Sequence, residues 1–322
     1  MYQGKVDLHL HLDGSLNPEL VQKLAQEQGM HLSLEETKAR MRVSPDCTSL
    51  VEYLSKFELA KQVLQTSENL ERATYELVER LAKQGLIYAE IRFAPQLHLQ
   101  KGLTMPQVVD SVLRGAEQAQ RDYPTIRVGI LLCALVGAEL NKETFDLAKD
   151  YIGKGVVGVD IAGAEGSVPM TSYEPLFADM RLHQIPFTIH AGETGLVQNP
   201  RIAVEMGASR IGHGCAAIHD EQVMALLRRE KTVVEACVVS NLHTKAVPSL
   251  AQHPIEHFFR TGIHVTVNTD NMACSDTTLA FEHETISKAF AFTDEDYRTM
   301  DRYAIEGAFI PDAEKKLLLA KL

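Results

Sequence analysis

An α/β fold built as a single (β/α)8 barrel is predicted for this 322-residue sequence by two observations. Eight short apolar runs rich in β-formers alternate with amphipathic helical patterns along the chain. The reactive side chains gather at the C-terminal ends of those runs, which is the face where such barrels carry their chemistry. A composition of 45% hydrophobic and 23% charged residues is enough to bury a large core. Barrels of this length commonly form one domain, taken here as residues 1–322.

The runs cover residues 5–12, 87–95, 127–135, 156–163, 187–193, 210–214, 232–241 and 264–271. After the first, Asn17-Pro18 reads as the cap and opening of a helix that stops near Gly29. Residues 31–66 are too long for a simple connection and read as an inserted helical lid, with Ser49-x-x-Glu52 as a capping box. Leu50, Val51, Leu54, Phe57 and Leu64 give that segment an apolar face. Such a stripe also fits ordinary core, and both readings hold if it packs over the barrel mouth. Gly85 closes the next helix, which starts near Glu68. There is no linker, low-complexity tract or internal repeat.

The net charge of -11 and the absence of any lysine- and arginine-rich run argue against nucleic acid or an anionic membrane surface as the main partner. No apolar run approaches the ~18 residues of a membrane span, and the first strand begins too early to leave room for a signal peptide, so a cytoplasmic protein is expected. The five cysteines are scattered, with no Cys-x-x-Cys pair, which points to reduced thiols and not to a disulfide framework or a thiolate metal site.

The first run, Lys5-Val-Asp-Leu-His-Leu-His-Leu12, places His9 and His11 on one face of a strand, with Leu8 and Leu10 on the other. Two converging imidazoles suit a first-row transition metal, zinc being the default for nitrogen and carboxylate donors. Taken alone they also fit two polar residues on a half-exposed strand. His190-Ala-Gly-Glu193 sets a carboxylate three residues beyond a further imidazole, with Gly192 allowing a tight turn. Glu193 could handle protons there, or be a helix-start acid. His213 lies between two glycines and could be a structural histidine, and Asp270 could cap a turn.

Taken together, Lys5–Leu16, Asp160-Ile-Ala-Gly163, His190-Ala-Gly-Glu193, Arg210-Ile-Gly-His-Gly214, Ser240-Asn241 and Asn268-Thr-Asp270 closely resemble the adenosine deaminase family, in the same order and across nearly the whole chain. The resemblance implies an amidohydrolase-type barrel with one zinc ion per chain held by His9, His11, His190 and Asp270. It implies catalytic roles for Glu193, His213 and Asp270, with Asp13 meeting a ribose, and Gly163 and His11 beside the substrate. The implied reaction replaces the 6-amino group of a purine nucleoside, adenosine or 2'-deoxyadenosine, by oxygen. A metal-bound water of lowered pKa would attack C6, Asp270 and His213 would take its proton, and a protonated Glu193 would supply ring N1.

The sequence departs from the family at one position: well-known members carry two aspartates after strand eight, where this chain has Asp270-Asn271. The second is thought to donate to purine N7 as a protonated acid, and the Asn271 amide can donate without one. The stretch Met272-Ala-Cys-Ser-Asp-Thr-Thr-Leu279 also lacks the proline that often follows. A dinuclear hydrolase would want a lysine where strand four ends in Asp160-Ile-Ala-Gly163, so one metal is favoured. Adenine and aminofutalosine deaminases share most of the pattern but often have glutamate in place of Asp13. A non-enzymatic binding protein is the remaining alternative. The oligomeric state is not legible.

Overall fold

The computed structural model describes every residue except Met1, Gln3, Pro45 and Thr48. Strands β1 (Val6–His11), β2 (Tyr88–Phe93), β3 (Arg127–Leu135) and β4 (Val156–Ala162) pair in that order as a parallel sheet. Strands β5 (Thr188–Ala191), β6 (Arg210–His213), β7 (Val233–Ala236) and β8 (Val265–Val267) form a second. Hydrogen bonds join the two halves at both seams. Val159 N donates to Pro186 O at 3.1 Å between β4 and the entry to β5. Beyond β8, His11 N donates to Asp270 O and Asp270 N donates to His9 O, each at 2.7 Å. The ring of eight is thereby closed in sequence order, as a parallel α/β barrel.

The helices between strands follow from their patterns. Asn17 caps Pro18–Glu27 by accepting from Glu19 N at 3.0 Å, with Pro18 at the first position, where its missing N–H costs nothing. The helix Ser67–Lys83 lays Leu70, Leu77, Val78 and Leu81 against the strands. Each such fully buried side chain contributes roughly 1.5–3 kcal/mol, so Leu77→Ala would cost about 2–5 kcal/mol. Gly85, at φ +87°, then turns the chain into β2.

Two sequence expectations are corrected here. The run 232–241 is not one strand: β7 stops at Ala236 and the chain turns into a helix, Val238–His243. Val238 and Val239 look like strand residues, but tertiary contacts override that preference, since Val239 N donates to the buried Glu282 Oε2 at 3.1 Å. The turn brings Ser240 to Asp270 and Asn241 to His213. Within residues 31–66, the helices Leu34–Met41, Leu50–Leu54 and Glu58–Val63 account for most of the chain. Val51 does not belong to their apolar face: it is 73% exposed, whereas Leu64 is fully buried in the core.

Candidate active site

A cavity of about 280 Å³ opens at the C-terminal ends of the strands. Its floor carries His11, His190, His213 and Asp270, and its walls carry Glu193, Asp13, Gly163 and Asn271. His9 lies fully buried with its ring against those of His190 and His213. Eight of the nine site residues singled out in the sequence therefore line one space, and the ninth is beside it. Tyr53, Leu54, Phe57 and Lys61, all within residues 31–66, line the same space.

The local fold explains why these side chains converge. β1 carries one extra residue against β2 between Asp7 and Leu10, a bulge of the kind that re-aims side chains near active sites. The backbone groups of Leu8 are satisfied from outside the ladder: its N–H by Asn268 Oδ1 at 3.0 Å, its carbonyl by Arg92 Nη2 at 2.6 Å. His213 and Asp270 both sit in the left-handed backbone region, at φ 64° and 58°, a conformation that costs side-chain-bearing residues about 1–3 kcal/mol. Gly212 is required for space, because a Cβ there would lie 2.8 Å from His9 Cε1.

The donor atoms fit a metal ion. A tetrahedral ion with ligands about 2.0–2.1 Å away spaces them roughly 3.3–3.4 Å from one another. His11 Nε2 lies 3.3 Å from His190 Nε2 and 3.4 Å from Asp270 Oδ1, and His9 Nε2 lies 3.4 Å from the same oxygen. His9 Nε2 is buried without a hydrogen-bond partner among the described residues. His213 falls within the same cluster, its donor atom and those of His9, His190 and Asp270 all lying within 4.8 Å of one another. Its Nε2 is also 3.6 Å from Glu193 Oε2.

Behind the cluster runs a charge network in which Asp160 and Arg210 belong to segments already singled out in the sequence, whereas Glu90, Arg92 and Glu235 belong to none. His9 Nδ1 bonds Glu235 Oε2 at 2.8 Å and His190 Nδ1 lies 3.0 Å from Asp160 Oδ2, so each ring is oriented by a carboxylate. Arg92 joins the two, with Nη1 at 2.7 Å from Asp160 Oδ2 and Nη2 at 3.0 Å from Glu235 Oε2. Arg210 extends the chain to Glu90 Oε2 at 2.5 Å and pairs through Nε with Glu235 Oε1 at 2.7 Å, the latter an ion pair without hydrogen-bond alignment. The five are fully buried, and charged residues inside apolar strands were the signal that could have found them. Ser240 Oγ holds Asp270 Oδ2 at 2.5 Å.

Electrostatics separate the carboxyls. Burial, with Asp270 and Glu165 nearby, pushes Glu193 up to about 8, so it is protonated near neutral pH. Burial acts on Asp270 too, but is outweighed by the His9 imidazole, whose Nε2 lies 3.4 Å away, and by those of His213 and His11, which hold it well below the usual carboxylate range. Burial also raises Asp13, to about 6. Asn271 packs its amide over Gly14, where a Cβ would stand only 1.8 Å from Oδ1, and that oxygen has no partner among the described residues.

Comparison with known proteins decides the family. A sequence profile for the family described as Adenosine deaminase matches residues 4–322. The chain belongs to that family. A relative named Adenosine deaminase from Haemophilus ducreyi is 39% identical over 328 residues, covering 99% of this chain and 95% of its own. Another of that name, from Enterococcus faecalis, is 37% identical over 322 residues, with 99% and 95% covered. Among solved structures, an adenine deaminase from Arthrobacter aurescens superposes with a TM-score of 0.89 at 26% identity over 99% of this chain and 98% of that one. An amidohydrolase from Burkholderia ambifaria with bound Zn shares the fold at a TM-score of 0.87 and 21% identity over 99% and 89%. The match thus spans the barrel strands and residues 31–66 alike.

Proposed function

We propose that this protein hydrolyses the 6-amino group of adenosine and 2'-deoxyadenosine, giving inosine or deoxyinosine and ammonia, as a cytoplasmic enzyme of purine salvage. The observation that carries the reading is Glu193: a 5% exposed, protonated carboxyl facing the cavity beside a buried His/Asp cluster of metal-ligand spacing. The relatives at 37–39% identity are named for adenosine, which favours the nucleoside over free adenine. Among the described residues no helix is long and apolar enough to cross a membrane.

One zinc ion per chain would be held by His9, His11, His190 and Asp270. When bound it supplies a water whose pKa is lowered toward about 7. Asp270, held ionised, takes the proton of the water that attacks C6. Glu193 gives its proton to ring N1 as charge enters the purine, the proton taken by Asp270 passes to the 6-amino group, and ammonia leaves as the C6 hydroxyl returns a proton to Glu193 and becomes the carbonyl. Asp13 binds the ribose hydroxyls, Gly163 lets the purine approach the backbone, and the Asn271 amide donates to purine N7. Residues 31–66 act as the lid, since Leu54, Phe57 and Lys61 close over the same space. The direct test is ammonia release from adenosine, 2'-deoxyadenosine, adenine and AMP by the metal-loaded protein. The nucleosides are expected to be turned over best, and a higher kcat/KM for adenine or AMP would overturn the assignment.

A further inference from the structure

His213 turns Nε2 toward the cavity and Nδ1 toward the interior, where Asn241 Nδ2 lies 2.9 Å away. A neutral imidazole carries one proton, and the hydrogen bond made by one nitrogen decides what the other offers. Three side chains behind His213 make that decision.

The chain of hydrogen bonds starts at a backbone N–H, which can only donate. Pro254 has no N–H, so the first donor after His253 is Ile255 N, which bonds His253 Nδ1 at 3.2 Å. Nδ1 must therefore be unprotonated. Burial pulls His253 down to about 3, so the ring is neutral near pH 7 and its proton sits on Nε2. That N–H faces Asn241 Oδ1 at 3.1 Å. The Cys215 thiol, kept protonated by burial, donates to the same oxygen at 3.3 Å. Two donors converging on one atom identify it as the carboxamide oxygen, so the other end of Asn241 is its NH2 group. Reversing the amide would set NH2 against both donors and would need a His253 proton aimed at the Ile255 N–H. His213, Asn241, His253 and Cys215 are all buried.

We infer that Asn241 and His253 are positioning residues that fix His213 as the Nε2–H tautomer, so that His213 offers the cavity a hydrogen-bond donor and not a proton-accepting lone pair. The consequence for catalysis rests on the deaminase reading above. It removes His213 from the pair expected to take the water's proton and leaves that proton to Asp270. The His213 N–H instead donates to the oxygen that attacks C6, orienting it. The turn from β7 into the helix Val238–His243 sets the Asn241 amide against His213.

The test is ring-15N histidine NMR on the metal-loaded protein, with the His213 signals assigned by their loss in His213→Gln. In the parent protein Nδ1 is expected to be the unprotonated nitrogen and Nε2 the protonated one. Asn241→Asp places an acceptor behind the ring, and is expected to invert that pattern, with metal content unchanged. It should lower kcat on adenosine by about 10–100-fold while KM moves much less. Asn241→Leu, which neither donates nor accepts, is expected to give a mixture of both tautomers, and serves if the aspartate variant does not fold. A parent His213 protonated on Nδ1 overturns the inference, as does an Asn241→Asp variant with unchanged ring signals. If the parent protein does not act on adenosine, the functional reading fails, while the ring signals still report the tautomer.

Discussion

Replacing Glu235 by glutamine would keep the shape of that side chain and remove a charge shared by two arginines and His9. Oε2 meets His9 Nδ1 at 2.8 Å and Arg92 Nη2 at 3.0 Å, and Oε1 meets Arg210 Nε at 2.7 Å, with every group fully buried. A carboxamide has one acceptor oxygen, so its NH2 must oppose a donor on one side or the other. Removing one partner from a buried charge network costs about 3–5 kcal/mol, a large share of the roughly 5–15 kcal/mol by which domains are stable. The same change loosens His9, and partners that orient a ligand histidine are worth about 10–100-fold in metal affinity. Burial opposes ionisation of Glu235, but the two arginines and His9 outweigh it and hold the carboxyl well below 4.5. Its contribution is therefore present above that value and lost only in acid, so neutral pH is the place to measure it. Urea unfolding of the metal-free variant should show a lower midpoint at an unchanged slope, and titration against a chelator should show weaker metal binding. A midpoint equivalent to less than about 0.5 kcal/mol of change, with metal affinity intact, would refute the idea that this network positions the histidine.

Glu193→Gln is expected to keep its metal while losing about 10²–10⁴-fold in turnover, because an amide cannot protonate ring N1; turnover within a few-fold of the parent would make Glu193 a structural acid. Since its protonated form is the active one, the parent kcat should fall as pH rises through about 8. Asp13→Ala should impair adenosine far more than any activity on free adenine, and equal losses would assign Asp13 to support of the histidine strand. Asn271→Ala should cost about 1–3 kcal/mol in kcat/KM on adenosine and little more on 7-deazaadenosine, which lacks the acceptor; the same factor on both would show that the amide does not face N7. Glu282 is buried and raised from 4.5 to about 8, so the folded state prefers its proton and stability falls as pH rises across that range. Glu282→Gln should flatten that decline in urea midpoints, and an unchanged slope would mean that the carboxyl is ionised in the fold.

What the sequence made legible was whatever strand geometry repeats. The spacing of His9 and His11 puts both rings on one face, and His190, His213 and Asp270 lie at or just past the ends of recognisable runs, so their convergence followed from barrel topology. The partners of those rings were hidden for the opposite reason. Arg92, Asp160 and Glu235 stand on β2, β4 and β7, and pairing across a barrel interior leaves no trace in local pattern. Asp160 stood in a singled-out segment with no role attached, and for Arg92 and Glu235 the oddity of a charge inside an apolar strand was the available pointer. The overlong seventh run shows the limit of propensity, because Val238 and Val239 suit a strand until the buried acceptor on Glu282 is known. Val51 shows the limit of periodicity over a helix of five residues, Leu50–Leu54, too short for a stripe to define one face.

The seam between β1 and β8 brings His9 and His11 against Asp270, and this orders events during synthesis. A ribosome adding about 5–20 residues per second makes the two strand-one histidines first, then spends roughly 13–50 s before the last carboxylate is built. Until that moment the nascent chain has an imidazole pair exposed at one end of a ring that cannot close. The hydrogen bonds from His11 N and Asp270 N complete the barrel and the donor set in the same act. Metal capture in the finished geometry is therefore a late event in the life of each molecule, and a chain broken off before its eighth strand has neither a closed ring nor the full set of donors.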